Sequence, residues 1–593
     1  MLRALRGIGG ALPRYRTRRH LQAFLASTRR CRETQAATLA QILTLNAASD
    51  FSRERGLTGS LTAAEFRRRI PVGDFETVRP YVERLKTGEF SALLGPQNRL
   101  LMFTLSSGTT AESKYIPITD QFLKSYRHGW QSWGICAMDA HRKLHQQDIL
   151  QLASDYDQFR TPAGTPCGNI SGLVGAMQSP VVRLMYAAPQ EITKLTEPEA
   201  KQYATLRIAA MNRHVGLMMT ANPSTLIQIA RLADRERQTL IRDIADGTLD
   251  RRFDLAEAIP PGLRRRLTRR DRVRAKELER AVEQTGHLYP RDIWPELTLA
   301  GVWTGGSVGA YLETMRPLYG NIPVRDHGLS ASEGRMTIPL QDETSAGILD
   351  IGSHYFEFIP EEEHGKPDPL VLEAHELEAG RNYFILLTTV SGLYRYDIRD
   401  VVRCSGYHET TPLLEFLHKG AHIANITGEK LSESQVVSAV KTITQRRQVD
   451  LGHFTVSPVW GDPPRYRMHL ESVHMPDDAV WQSILRDVDT ELQRLNCEYH
   501  EKRKTARLEP LDGQLLPPGT WHTFARSRQN RLGGSVEQYK HPCLLPDLQF
   551  SERLWRDHAL PLMQNESTVR RPHFLGGRRG SLATANDELQ DVS

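Results

Sequence analysis

The segment from Thr104 to Thr119, TLSSGTTAESKYIPIT, concentrates hydroxyl groups, one glycine and a lysine between two apolar runs. A loop of this composition leaves backbone N–H groups and hydroxyls without partners unless an anion accepts from them, and phosphate oxygens are the usual acceptors. The side chains that could form such a cradle are Ser106, Ser107, Thr109, Thr110 and Lys114. The same residue types also form ordinary turns, and the segment does not match the P-loop pattern. The loop alone therefore leaves phosphate binding and a structural turn equally open.

Carboxylates and a lysine stand out in three later strings, in the order LSASEGRM, GLYRYDIRDVV and GEKLSE. The first holds Glu333, and a glutamate in a loop suits Mg²⁺ shared between protein and phosphates. The second holds Asp400, and an aspartate that follows a strand can accept hydrogen bonds from ribose hydroxyls. The third holds Lys430. Each of these residues alone is equally expected in a solvated turn, so the order of the strings is more informative than any one of them.

The strings SSGTTAESK, LSASE, GLYRYDIRD and QYKHP, in this order, resemble the Gretchen Hagen auxin-responsive amido synthetases, a branch of the adenylate-forming ligase superfamily. The segments AGTPCGNISG and MMTANPSTL are similar to core segments of the same family. The resemblance implies a carboxylic acid that attacks the α-phosphorus of ATP with release of pyrophosphate. The resemblance further implies that the acyl group then passes from the adenylate to an amine, that of an amino acid.

The resemblance also implies roles for individual residues. The β- and γ-phosphates would be bound by Ser106, Ser107, Thr109 and Thr110, with Lys114 as a further cation. Ser332 would face adenine, and Glu333 would hold Mg²⁺. Asp400 would bind the ribose, and Arg403 would bind the α-phosphate. Lys540 and Lys430 would bring positive charge to the α-phosphate when a small domain closes over the large one and excludes water.

Two positions depart from the family pattern. Leu329 stands where the family often has an aromatic residue, and Arg399 stands where it often has glycine, which disfavours a positive φ at that point. These departures keep open a nucleotide-binding protein of this fold without turnover, and a thioester-forming synthetase that uses coenzyme A is the alternative among enzymes. After the loop, Phe122–Met138 is a predicted helix whose Tyr126, Trp130 and Trp133 line either a hydrophobic acid pocket or plain core.

Long helical segments alternate with short apolar runs such as YFILLTTV, which predicts an α/β fold. We expect four parts: a basic helical segment (1–50), a large ATP- and acyl-binding domain of mixed sheets and helices (51–418), a small mobile α+β lid domain (419–570) and a disordered tail (571–593). The boundary near His418 to Gly420 follows a strand and precedes the GEKLSE string.

The chain of 593 residues has a net charge of +6, yet the first 32 residues contain nine arginines and no acidic residue. The basicity is thus local, which argues against an extended nucleic-acid surface. No apolar run reaches the ~18 residues of a membrane span, and six scattered cysteines fit a reducing compartment. We expect a cytoplasmic monomer that acts on small molecules, with import into an organelle through the arginine-rich start as the alternative.

Overall fold

The computed structural model describes residues 11–559, except 107–113, 179, 196, 222, 254–258, 306–310, 421–422, 425, 428, 430, 462, 475–476, 505, 507 and 533–540. The helices are α1 (Ala11–Ser27), α2 (Cys31–Asn46), α3 (Asp50–Glu54), α4 (Ala63–Arg69), α5 (Phe75–Lys86), α6 (Asp120–Ala140), α7 (Ile170–Ala176), α8 (Pro180–Arg183), α9 (Pro198–Ala210), α10 (Pro223–Arg235), α11 (Arg237–Asp246), α12 (Pro261–Leu267), α13 (Arg272–Thr285), α14 (Pro290–Ile293), α15 (Tyr311–Tyr319), α16 (Glu433–Arg447), α17 (Asp478–Leu495), α18 (Cys497–Lys504), α19 (Thr520–Leu532) and α20 (Phe550–Leu554).

The strands are β1 (Leu100–Ser106), β2 (Lys114–Thr119), β3 (Asp148–Gln151), β4 (Phe159–Arg160), β5 (Pro166–Gly168), β6 (Val215–Met219), β7 (Leu299–Val302), β8 (Val324–Asp326), β9 (Ser330–Ala331), β10 (Gly334–Arg335), β11 (Thr337–Ile338), β12 (Gly347–Leu349), β13 (Tyr355–Pro360), β14 (Leu372–Glu373), β15 (Asn382–Thr388), β16 (Tyr396–His408), β17 (Thr411–Lys419), β18 (Ile423–Ala424), β19 (Leu431–Ser432), β20 (Phe454–Val459), β21 (Arg465–Glu471) and β22 (Asp512–Leu516). They form three larger sheets in the first part of the chain, one in the last part, and two short hairpins.

A parallel sheet in the order β3-β6-β7-β8 carries the helices of the first half of the chain. Strands β6 and β7 read VGLMM and LAGV, and every residue of both is buried. Strands that are apolar on both faces are typical of a parallel sheet covered by helices on each side. Helices α9, α10, α11 and α13 contribute to the core that covers it.

A seven-stranded sheet in the order β11-β12-β17-β16-β15-β13-β14 carries the GLYRYDIRD string. Its β15 coincides with the strand that the YFILLTTV segment predicts. Helix α2 lies beside this sheet. Its Gln35 amide donates to the backbone carbonyls of Ile351 and His354 at 2.7 and 2.8 Å. Thus much of the basic N-terminal segment is helical, and α2 packs into the same core as this sheet.

The last part of the chain has a separate three-stranded sheet, β20-β21-β22, with a core of its own to which α16 and α17 contribute. This arrangement, beside the larger sheets, confirms the predicted α/β fold with a small α+β unit. Strand β17 ends at Lys419. The four predicted domain limits stay a prediction, and the expected tail lies outside the described residues. Among the described helices none is long and apolar enough to span a bilayer.

Candidate active site

The hydroxyl-rich loop joins β1 to β2, which pair as antiparallel strands with Ser106 opposite Lys114. The predicted phosphate-binding residues Ser107, Thr109 and Thr110 lie outside the described residues. On its other side β1 runs parallel to β5, where Thr104 pairs with Gly168. A Cβ added at Gly168 would lie 2.6 Å from the backbone of Tyr156, so a side chain there would displace the chain that precedes β4. Both ends of the loop thus lie in paired strands, β1 between β2 and β5 and β2 at the edge of the sheet.

The half-buried Lys114 lies near the first turn of α5. Its Nζ is 6.0 Å from the centre of the Phe75 ring. The same segment of chain contacts β16, because the Asp397 N–H donates to the Gly73 carbonyl at 2.8 Å and Asp74 lies 3.5 Å from the Arg399 guanidinium. Residues 73–75 thus link the start of β2 to the strand that carries Asp400.

Glu333 and Ser332 form the turn between β9 and β10. The Glu333 side chain is buried, whereas Ser332 is half-buried. Burial raises the pKa of Tyr396 far above its usual range, and the charges of Glu333 and then Asp74 add to this effect. Glu333 and Tyr396 are therefore electrostatic neighbours, and the structure brings the predicted metal ligand to the start of β16.

Asp400 is buried on β16, directly after a residue with unusual backbone geometry. Arg399 has a φ of 58°, in the left-handed region that a side chain disfavours. Its N–H donates to an Asp397 carboxylate oxygen at 2.7 Å, and its carbonyl accepts from the Gly420 N–H at 2.7 Å. The expectation that an arginine would keep this backbone out of the left-handed region is wrong, because these two hydrogen bonds hold the conformation.

Arg403, the predicted α-phosphate ligand, lies on β16 three residues after Asp400. It is exposed and its Nε donates to the Asn382 side chain at 3.4 Å. Asp400, by contrast, is buried. The structure thus places Asp400 in the interior and Arg403 at the surface.

Lys430 and Lys540 lie outside the described residues, but the residue before Lys430 is firmly held. The Glu429 carboxylate accepts from the backbone N–H groups of Ile426 and Thr427 and from the hydroxyls of Thr427 and Tyr466. Burial alone would raise its pKa, but these donors lower it below the usual value. Glu429 therefore anchors the segment that carries Lys430.

The residue after Lys540 is anchored as well. His541 is buried, and its Nε2 lies 2.9 Å from the Thr455 hydroxyl on β20. Burial holds the pKa of His541 well below its usual value, so the ring is neutral near pH 7. Both predicted catalytic lysines thus adjoin residues that are fixed in the small C-terminal unit.

The described residues fit a bound nucleotide. Three buried hydroxyls, those of Thr104, Ser330 and Tyr396, have no hydrogen-bond partner in the described part of the chain. Because buried polar groups are nearly always hydrogen-bonded, such hydroxyls are expected where a polar ligand completes the site. No group of three His, Cys, Asp or Glu residues that could hold a metal occurs within the described chain. A single carboxylate such as Glu333 suits Mg²⁺, whose remaining ligands are then phosphates and water.

Two functional candidates were missed by the sequence reasoning although they lie inside the strings it used. Tyr396 belongs to GLYRYDIRD, but a tyrosine in a strand pattern is usually core. Glu429 belongs to GEKLSE, in which Lys430 was the predicted catalytic residue. The sequence pattern that could have indicated Glu429 is a carboxylate between a turn and an apolar run, but the same pattern is common in surface loops.

Comparisons with known proteins match three domains of one family along the chain. The GH3 family N-terminal domain matches residues 20–324, the GH3 family central domain matches 347–419, and the GH3 family C-terminal domain matches 434–549. The jasmonoyl–L-amino acid synthetase GH3.5 of Oryza sativa subsp. japonica is 25% identical over 556 residues, which cover 88% of this chain and 94% of that protein. The indole-3-acetic acid-amido synthetase GH3.4 of Arabidopsis thaliana is 23% identical over 579 residues, 92% and 95% of the two chains.

The fold agrees with these sequence matches. A solved structure of the GH3.15 acyl acid amido synthetase superposes with a TM-score of 0.80 at 20% identity, and the match covers 91% of this chain and 96% of that one. The resemblance that the sequence strings indicated is therefore confirmed. With three family domains matched in order over most of its length, the chain belongs to the GH3 family.

Proposed function

We propose that this chain is an ATP-dependent acyl acid amido synthetase. The observation that carries this proposal is the match to all three GH3 domains, whose similar relatives are named amido synthetases and are covered almost completely. In the first half-reaction a carboxylate oxygen attacks the α-phosphorus of ATP and pyrophosphate leaves. In the second, an amino acid nitrogen attacks the carbonyl carbon of the adenylate, and AMP leaves as the amide forms.

The predicted site residues supply the chemistry that the first half-reaction needs. The loop after Ser106 would hold the β- and γ-phosphates, because donors there meet the charge that develops on the leaving pyrophosphate. Asp400 would accept from the ribose hydroxyls. Glu333 would hold Mg²⁺, which neutralises phosphate charge when bound. Lys430 and Lys540 would add positive charge at the α-phosphate from the small C-terminal unit.

Glu333→Gln tests the metal assignment, because glutamine keeps the shape of the side chain and removes its charge. We expect pyrophosphate exchange to fall and half-maximal activity to need about tenfold or more Mg²⁺. Glu76→Gln is the matched control, since Glu76 is 60% exposed and pairs with Arg79 in the same region. A Mg²⁺ titration of Glu333→Gln that coincides with the parent's would remove Glu333 from the metal site.

The acceptor is tested separately, by analysing the products formed from the adenylate. Incubation with amino acids is expected to give amides, whereas a coenzyme A thioester would support the alternative enzyme class. If the folded protein catalyses no pyrophosphate exchange into ATP, the result would support the alternative of a nucleotide-binding protein without turnover.

A further inference from the structure

A cavity of about 560 Å³ lies between helix α1 and the chain at the end of α6. Its lining consists of Arg14, Arg18, Asp139, Arg142 and His145. The first two belong to α1, Asp139 belongs to the last turn of α6, and the other two belong to the short 3₁₀ helix Arg142–Gln146. Because four of the five side chains are basic, the cavity suits a negatively charged ligand rather than an apolar one.

The walls of this cavity are held by contacts outside it. The His20 ring on α1 stacks on the His128 ring of α6, with 5.1 Å between their centres. Phe24, also on α1, packs against a buried apolar cluster that contains Leu144, the residue before His145. Helix α1 and the 3₁₀ helix thus pack on one core, so the basic side chains are brought together without a ligand.

The lining carries more positive than negative charge. Asp139 accepts from Arg18, whose Nε lies 2.9 Å from one carboxylate oxygen and whose Nη2 donates to the other. This carboxylate therefore compensates one arginine. The Arg142 side chain is exposed and has no ion pair or hydrogen bond within the described part of the chain. Three arginines and one aspartate leave a net charge of two on the lining when His145 is uncharged.

His145 is a second, independent indication of an anion. Its Nδ1 is buried and has no hydrogen-bond partner among the described residues, and a buried polar atom of this kind is expected where a ligand completes a site. Burial and then the charge of Arg14 lower the pKa of His145; Arg18 and Arg142 act in the same direction, whereas Asp139 opposes them. The imidazole is therefore uncharged near pH 7 and can donate a hydrogen bond without adding charge.

We propose that this cavity binds a phosphomonoester. Such a group carries about 1.5 to 2 negative charges at pH 7, which matches the net charge of the lining. A guanidinium donates two parallel hydrogen bonds to phosphate oxygens, a geometry that a lysine cannot offer. The cavity is larger than a phosphate group needs, so it also has room for a small polar body such as glycerol or a sugar.

The site is a feature of this chain rather than of the matched GH3 domains, because Arg14 and Arg18 precede residues 20–324 of the first domain match. It is also independent of the proposed function, since none of its residues belongs to the predicted nucleotide site. The exposed Arg16 and Arg19 lie on the same helix. A phosphomonoester can therefore reach the cavity free in solution or as the head group of phosphatidic acid in a membrane.

Calorimetry and vesicle flotation distinguish these two sources. Glycerol 3-phosphate is titrated into the full chain with a non-hydrolysable ATP analogue present, and glycerol is the uncharged comparison. Flotation uses phosphatidylcholine vesicles with a minor fraction of either phosphatidic acid or phosphatidylglycerol, a phosphodiester. Binding of glycerol 3-phosphate but not of glycerol supports a free ligand, and selective flotation with phosphatidic acid supports the lipid. Failure of both at millimolar phosphomonoester would overturn the proposal.

Arg142→Gln should weaken this binding about tenfold or more, because the guanidinium is available to donate to the phosphate. Lys143→Gln is the matched control, since it removes one charge from the next residue, which is exposed and does not line the cavity. Equal losses in Arg142→Gln and Lys143→Gln, or no loss in Arg142→Gln, would overturn the assignment.

Asp139→Asn should have the opposite effect and tighten binding, because Arg18 then donates to the phosphate instead of to the carboxylate. The two side chains are 43 and 40% exposed, so their ion pair adds little to stability and the variant should fold. Weaker binding by folded Asp139→Asn would contradict an anion site at this position.

The His145 imidazole gives a readout besides affinity. A bound dianion offsets the arginine charges, so it should raise the pKa of His145. Nuclear magnetic resonance of the histidine-labelled chain measures this pKa, with His145→Gln identifying the signal, in the presence and absence of the phosphomonoester that binds, glycerol 3-phosphate or a short-chain phosphatidic acid. A pKa that stays unchanged at saturation would place the ligand elsewhere and overturn the site.

Discussion

Two arginines of the GLYRYDIRD string have left-handed backbone conformations, with φ of 46° at Arg395 and 58° at Arg399. Arg395 is buried and its Nε donates to the Glu357 carboxylate at 2.9 Å, while Arg67 donates to the other oxygen at 2.7 Å. This buried network offsets the strain at Arg395. Arg399 is exposed, so its strain is held by backbone and carboxylate hydrogen bonds beside Asp400.

Arg399→Gly should stabilise the protein by up to about 1 kcal/mol, because glycine adopts a positive φ without the cost that a side chain adds. The ion pair between Arg399 and Asp74 is exposed, so its loss lowers the free energy of unfolding by less than this gain. Urea unfolding measures the change. Arg403→Gly, on the same strand without a positive φ, serves as the control and should destabilise by about 0.5–1 kcal/mol. A loss of stability in Arg399→Gly equal to the control's would contradict the role of strain.

The residue types of the site could be predicted from the sequence, but their partners could not. The metal role of Glu333 was predicted from the resemblance that the LSASE string carries, since a loop glutamate alone is equally expected in a solvated turn. The burial of Arg335, two residues later, was not predicted, since a charged residue in a short polar string is usually exposed. This burial depends on Gly129, which is far away in the sequence and leaves the space that the arginine occupies.

At the scale of elements, the apolar pattern of the sequence indicates α6, β15 and α17, and in α17 it buries Trp481, Ile484, Leu485, Val488 and Leu492. Sheet order could not be predicted in the same way, because β3 pairs with β6 across three intervening helices and two strands of another sheet. Pairing over such separations depends on the whole core rather than on local pattern.

The conformation of the segment between β18 and β19 depends on Glu429, whose carboxylate accepts several hydrogen bonds. We therefore expect Glu429→Gln to lower the free energy of unfolding by about 1.5–3 kcal/mol near pH 7. The variant should also slow adenylation, because the same segment carries Lys430. The folded pKa of Glu429 is lowered, so its carboxylate stabilises the protein above its ordinary pKa of 4.5 and loses this effect as the pH falls below it. The difference between the variant and the parent in urea unfolding should therefore shrink toward pH 4.

Tyr466→Phe is the graded comparison, because it removes one of the donors to Glu429 and keeps the charge. It should have a smaller effect on both stability and adenylation. Equal stability of Glu429→Gln and the parent at pH 7 would show that the segment does not depend on this carboxylate.

At the scale of the whole molecule, the chain leaves the seven-stranded sheet at Gly420, where a Cβ would lie 2.1 Å from the Phe384 ring. That ring is stacked on His364 at 3.6 Å, so it has little room to move. His364 in turn contacts Asp397, the carboxylate that holds Arg399. The junction before the small unit is thus packed against the same residues that hold the backbone at Asp400.

Gly420→Ala should therefore slow adenylation and amide formation by about tenfold each, because both need the small unit to move about this junction. Single-turnover kinetics of the two half-reactions measure the effect. Gly352→Ala is the control, since a Cβ there meets no atom within 4 Å. Full activity of Gly420→Ala would place the hinge elsewhere in the chain.

The central claim is that this GH3 chain activates a carboxylic acid with ATP, and acid-dependent exchange of labelled pyrophosphate into ATP tests it most directly. The measurement uses the full chain with Mg²⁺ and a panel of carboxylic acids, before any amine is added. We expect exchange that requires one of these acids and that stops when Mg²⁺ is chelated. A folded protein that binds ATP but shows no acid-dependent exchange with any member of the panel would contradict the claim.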